Sequence, residues 1–200
     1  MSSPAPRHQV VLVRHGETEW STTGRHTGTT DLPLTQAGRE TARRLRARLA
    51  ARTFAAVWTS PRARARETAD LAGFGARTEV VPDIVEWNYG EYEGLTTVEI
   101  RARQPNWSVW RDGCPGGESA ADVGMRADRA VERLRASSGE VLLFSHAHFL
   151  RTLAARWIEM PPTVGERLWL TTGAICVLGW EREVPVIQHW NQQDSAHVRS

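Results

Sequence analysis

The sequence predicts an α/β fold, a three-layer αβα sandwich around a mostly parallel sheet with an antiparallel strand at one edge. Three observations carry that prediction. Short β-branched and Leu-rich runs alternate with longer stretches of helical periodicity, the order that builds a parallel sheet covered on both faces. A chain of 200 residues can bury one full core in that arrangement, so a single domain over residues 1–200 is expected, with residues 10–190 as its body and flexible ends. Finally, three of the apolar runs stop on residues able to do chemistry, and ligands collect at the carboxyl ends of strands in such sheets.

The elements follow in order. Val10, Val11, Leu12 and Val13 read as a buried strand that stops at Arg14-His15-Gly16. Residues 35–51 are helical, with Leu45 and Leu49 on one face and Arg43, Arg44 and Arg48 outside it. Residues 55–59 form a second strand. Ser60-Pro61 then reads as a helix start, the Ser capping free N–H groups and the Pro suiting the first turn. Thr96 and Glu99 have capping-box spacing and open a short helix that ends before Pro105. Residues 120–136 form an amphipathic helix and residues 141–144 a third strand ending at Ser145-His146. A helix over 149–158 follows, then strands at 174–179 and 184–189, the last antiparallel at an edge. No repeat or low-complexity linker interrupts the pattern.

Composition narrows the chemistry. Lys and Arg together number 25 and the formal net charge is +2, so the balance makes no case for nucleic acid or a membrane surface. Every basic residue is Arg; Lys is absent. Schiff-base chemistry and Lys-dependent phosphate loops are thereby excluded, and an anion site must use Arg, His and backbone N–H groups. The 2 cysteines, Cys114 and Cys176, have no metal-ligand spacing, and no apolar stretch has signal-peptide or membrane-spanning length. A cytoplasmic enzyme without cofactor is expected.

A phosphomonoester transfers through charge stabilisation and an in-line nucleophile. His15 supplies a neutral imidazole as nucleophile, its other ring nitrogen held by a backbone carbonyl, and Arg14 and Arg62 supply bidentate donors. His146, protonated beside the anion, donates to the same oxygens. The leaving alkoxide takes its proton from Glu86, whose carboxyl next to Trp87 is kept protonated by desolvation, while Glu91 and Glu93 are assigned to solvent. Arg64 and Arg66 are read as a solvated helix face, and Cys114 as a loop thiol. His146-Ala147-His148 could pair as metal ligands on a strand face, but no complementary carboxylate or Cys accompanies them, so no metal is expected. Arg25 and His26 are candidates for a second anionic group, and Trp20 and Trp87 are placed near the pocket.

Arg14-His15-Gly16-Glu17-Thr18, Ser60-Pro61-Arg62-x-Arg64-Ala65-x-x-Thr68-Ala69, Glu86-x-x-Tyr89-Gly90-x-Tyr92-Glu93-Gly94, Gly117-Glu118-Ser119 and Ser145-His146 together resemble the histidine phosphatase superfamily, the phosphoglycerate mutase-like fold. The resemblance implies His15 as nucleophile, Arg14, Arg62 and His146 as phosphate pocket and Glu86 as proton donor. The run from Trp107 to Ser119 is similar to the fungal sedoheptulose-1,7-bisphosphatase branch and to actinobacterial acid phosphatases of broad specificity. Thr27-Gly28 is either a turn or, as the resemblance implies, a wall against the substrate phosphate. Ser21, Tyr89, Arg111 and Ala147 complete the candidate substrate-binding set. Trp87-Asn88 stand where mutases keep an Arg-His pair and Thr97 where they keep a Lys, and only Arg111 remains of an Arg pair, so release of phosphate to water is expected over isomerisation. The expected partner is a small phosphorylated metabolite, with a homodimer as the form of self-association. Phosphoglycerate mutase and a non-catalytic phosphate-binding module are the alternatives.

Overall fold

Strand β1, Val10–Arg14, forms because its residues alternate between two apolar surfaces: Val10 and Leu12 join one cluster, Val11 and Val13 the other. The computed structural model describes residues 7–193; the expected flexibility of the chain ends falls largely outside them. Along the chain follow α1 (Glu19–Thr23), α2 (Gln36–Leu49), β2 (Ala56–Thr59), α3 (Ala63–Leu71), β3 (Thr78–Val80), α4 (Thr97–Arg103), α5 (Val109–Asp112), α6 (Ala120–Arg135), β4 (Val141–Ser145), α7 (Ala147–Trp157), β5 (Ile175–Glu181) and β6 (Val184–Gln192). The six strands lie in the order β3-β2-β4-β1-β5-β6. β3, β2, β4 and β1 run parallel, whereas β5 is antiparallel to β1 and β6 to β5. β5 alone thus runs against the rest: the edge strand β6, antiparallel to β5, returns to the direction of β1, so the one antiparallel strand lies one place in from the edge.

Helices cover both faces. Leu45 and Leu49 of α2 and Ala69 of α3 pack with Val11, Val13, Val57 and Phe144 on one side. Val123, Ala127 and Leu134 of α6 and Phe149, Leu153 and Trp157 of α7 pack with Val10, Leu12 and Leu143 on the other. β1 from Val10 to Val13 and β4 from Val141 to Phe144 are wholly inaccessible, and each Val or Leu side chain so buried contributes on the order of 1.5–3 kcal/mol. Capping boxes at Thr96/Glu99 and Ser119/Asp122 start α4 and α6. No helix is long and apolar enough to cross a membrane among the described residues.

Two local expectations fail. Ser60 does not cap α3: the N-cap is Arg62, Pro61 precedes the helix, and the Asp31 carboxylate accepts the Ala63 N–H at 2.7 Å. His146 and His148 do not lie on a strand, because β4 ends at Ser145 and His146 is the N-cap of α7. Residues two apart on a helix point about 200° apart, so the two rings do not share a face.

Candidate active site

β2, β4 and β1 are adjacent and parallel, so their carboxyl ends place Ser60, His146 and His15 together. Backbone bonds continue the ladder past the strands: His15 N–H donates to Ser145 O at 2.9 Å and Ser60 N–H to Phe144 O at 3.0 Å. Gly16 follows at a close crossing, where a Cβ would lie 2.6 Å from Gly38 O. His15 is 5 % exposed, and its Nδ1 lies 2.7 Å from Gly16 O. A carbonyl only accepts, so Nδ1 carries the proton and Nε2 keeps its lone pair. Burial, reinforced by Arg64 and Arg14, holds this imidazole well below its ordinary value of 6.5. His15 is thus a neutral ring with a defined nucleophilic nitrogen.

Arg14 donates through Nη1 to Leu170 O at 2.7 Å, while its Nε is buried without a partner. Burial lowers its pKa to about 10, so it remains a cation at neutral pH with an unspent donor.

His146 departs from expectation. Its ring centroid lies 5.1 Å from that of His15, but its charged neighbours are Arg64, Arg62 and Arg14, and burial with these cations pushes its pKa well below 6.5. Arg64 Nε donates to His146 Nδ1 at 3.2 Å, so the proton sits on Nε2, which donates to Ser60 Oγ at 2.7 Å. His146 is neutral here.

Arg64 itself is the principal residue that sequence reasoning missed. It is wholly inaccessible rather than solvated, and its Nη atoms donate to Thr30 O and Thr27 O at 3.0 Å. The available signal was its helical spacing: Arg64 stands four residues before Thr68 on the face that also carries Ala65 and Ala69, all small and buried. Arg62 is partly buried, with an unpartnered Nε; neither it nor Arg64 is among the residues that line the cavity.

Glu86 is 7 % exposed. Hydrogen-bond donors, rather than the apolar setting beside Trp87 alone, define its carboxyl: it accepts the N–H groups of Trp87 at 2.9 Å, His148 at 3.2 Å and Phe149 at 3.0 Å. The last two belong to the first turn of α7, whose free N–H groups require acceptors. Glu93 is likewise not a solvated carboxylate, since it accepts from Gly28 N at 2.9 Å and Thr30 N at 3.0 Å. That bond corrects the role expected of Gly28, whose N–H is already used; a Cβ there would lie 2.3 Å from Trp87 O, so it is a packing glycine.

Arg14, His15 and Glu86 open on a cavity of about 370 Å³, whereas His146 and Arg64 lie behind its lining. Arg14, His15, Glu86, Ser21, Thr27, Tyr89 and Ala147 line it, as do Arg25 and His26. Burial lowers the pKa of His26 to about 4. Arg111 is elsewhere: its exposed guanidinium pairs with Asp112 at 2.8 Å and donates to Asn106 O. Trp169, 70 % exposed, lines the cavity; Trp20 and Trp87 do not line it but adjoin residues that do, Trp20 preceding Ser21 and Trp87 following Glu86. His148, Arg151, Thr171 and Thr172 also line it without having been singled out as substrate contacts. Arg151 had a readable signal, standing four residues after Ala147 on α7. Cys114 is buried, which pushes its thiol up to about 12, in keeping with an inert loop position. Among the described residues, no group of three or more His, Cys, Asp or Glu side chains is placed to hold a metal.

The model of the histidine phosphatase superfamily, branch 1, matches residues 10–193. An acid phosphatase of Mycobacterium tuberculosis is 46% identical over 186 residues, covering 88% of this chain and 89% of that protein. A sedoheptulose 1,7-bisphosphatase of Saccharomyces cerevisiae is 36% identical over 192 residues, covering 80% of this chain and 70% of that protein. The solved structure of a functionally characterised Mycobacterium tuberculosis open reading frame superposes with a TM-score of 0.89 at 43% identity, covering 93% of this chain and 98% of that one.

Proposed function

The chain belongs to the histidine phosphatase superfamily and is a phosphoric monoester hydrolase; from that premise we propose that it hydrolyses small phosphorylated metabolites, sugar phosphates among them, through a phosphohistidine on His15 and without a metal ion. The observation that carries this reading is the His15 Nδ1–H bond to Gly16 O, which leaves Nε2 as the lone-pair nitrogen beside cationic Arg14.

In the first step Nε2 attacks phosphorus, the bond from phosphorus to the ester oxygen breaks, and the leaving alkoxide takes a proton from the Glu86 carboxyl. Arg14 and Arg64 offset the charge of the transferring group, Arg64 taking the role expected of Arg62. In the second step the Glu86 carboxylate accepts a proton from water as its oxygen attacks phosphorus. The N–P bond breaks, phosphate leaves and neutral His15 is restored. Arg111 supports water as the acceptor, because the cation left where mutases keep a pair is turned away onto Asp112. The acid phosphatase and the sugar bisphosphatase among the relatives support the substrate class.

Rapid quench with a 32P-labelled sugar phosphate should trap an acid-labile, base-stable phosphoenzyme, and chelator should leave turnover intact. His15→Ala should lower kcat by roughly 10⁴-fold or more, as expected for loss of a nucleophile. Near-wild-type turnover by His15→Ala would overturn the reading, as would isomerisation of 3-phosphoglycerate without net phosphate release.

A further inference from the structure

His148 lines the cavity, yet hydrolysis through His15 makes no use of its ring. We propose that His148 is a substrate contact, its Nε2–H donating to a hydroxyl of the leaving group, so that the enzyme selects polyhydroxylated phosphomonoesters over alkyl ones. The inference rests on the phosphatase reading of the same cavity.

The tautomer follows from Tyr89. Its hydroxyl is 2.6 Å from His148 Nδ1, and burial beside Glu86 raises the phenol well above its ordinary value, so it remains an O–H that needs an acceptor. Burial together with Arg151, His26 and Arg14 opposes protonation of His148. A neutral ring whose Nδ1 accepts must carry its proton on Nε2. That nitrogen has no hydrogen-bond partner among the described residues, and it is not one of the buried unpartnered atoms, so it opens on the cavity.

The ring is also held in place. Trp110 lies 5.2 Å from it, centroid to centroid, and Trp87 and His26 each lie 6.1 Å away. Its backbone N–H is bound to Glu86, which fixes the donor relative to the candidate acid. A donor locked in this way is preorganised for one acceptor position. Thr22, Thr27, Thr171 and Thr172 also line the cavity; the hydroxyls of Thr22, Thr27 and Thr171 donate to Glu19 O, Arg25 O and Asn191 Oδ1, so towards a ligand they are acceptors, suited to a polyol rather than a hydrocarbon chain. A site built to bond a substrate hydroxyl discriminates strongly against the analogue that lacks it.

The test compares kcat/KM for sorbitol 6-phosphate with that for n-hexyl phosphate, two primary phosphomonoesters whose six-carbon chains differ in their hydroxyls. Wild type should favour the polyol, and His148→Ala should reduce that ratio by about tenfold or more. His148→Gln, whose amide N–H falls near the Nε2 position, should recover most of the ratio. His148→Asn, whose amide falls near Nδ1, should not, and Tyr89→Phe should lower the ratio severalfold by freeing the tautomer. An unchanged ratio in His148→Ala overturns the inference, as does a wild type indifferent to the hydroxyls. Should His148→Ala fail to fold, equal ratios in His148→Gln and His148→Asn overturn it instead. Turnover of n-hexyl phosphate alone removes the inference and leaves the phosphatase reading standing; turnover of neither ester removes both.

Discussion

Arg62 and Arg64 stand two positions apart in opposite settings. Arg64 is sealed beneath the site with its guanidinium on His146 and two loop carbonyls, whereas Arg62 starts a helix near the surface. Arg64→Ala should therefore lower kcat/KM by about 10²-fold or more, the scale of losing an aligned transition-state donor, and Arg62→Ala should cost less. Steady-state assays of both variants decide this, and a larger loss in Arg62→Ala would reverse the assignment. The reactive group itself was readable: Arg14-His15 after an apolar run says strand end, and a strand end in a parallel sheet says ligand. The choice between the two arginines was not, because nothing in Ser60-Pro61-Arg62 says that the helix starts two residues later and turns Arg64 inward. Nor does sequence reveal that three N–H groups converge on Glu86, two of them from a helix that begins sixty-one positions downstream.

At the scale of elements, the long periodic segments were legible and the short ones were not. α2, α6 and α7 show their apolar stripes, and β1, β2 and β4 their apolar runs. α1, α5 and β3 span only five, four and three residues, too few for a period to register, and are held by their surroundings. The loop at Gly28 is one such case, since Glu93 holds its backbone while Trp87 O closes the space beside it. Gly28→Ala should destabilise the protein by about 1–3 kcal/mol through overpacking. Ser119→Ala should cost about 1 kcal/mol by opening the capping box of α6. Urea unfolding followed by circular dichroism measures both, and a neutral Gly28→Ala would show that the loop yields.

For the molecule as a whole, the buried histidines make folding depend on protons. His15, His146 and His148 are held well below 6.5 in the folded state and regain their ordinary affinity when unfolded. The unfolded chain therefore binds more protons as pH falls below about 6.5, and stability is lost in that direction and unaffected above it. Well below 6.5 each such histidine contributes a limiting slope of about 1.4 kcal/mol per pH unit, so the three together give roughly 4 kcal/mol per unit. His26 adds a further contribution between 6.5 and about 4. Urea midpoints at pH 7.5, 6.5, 5.5 and 4.5 should fall steadily only below 6.5, and a midpoint constant down to pH 4.5 would rule this out. The order of the strands bears on biosynthesis as well. β1 is made before the other five strands, yet its neighbours β4 and β5 begin only at Val141 and Ile175, and Arg14 is braced by Leu170. A ribosome must release the chain through Glu181 before β1 can be enclosed. Until then its Val-rich segment is an open apolar surface, so the nascent chain should be a chaperone client until β5 emerges and gain its nucleophile's pocket only then.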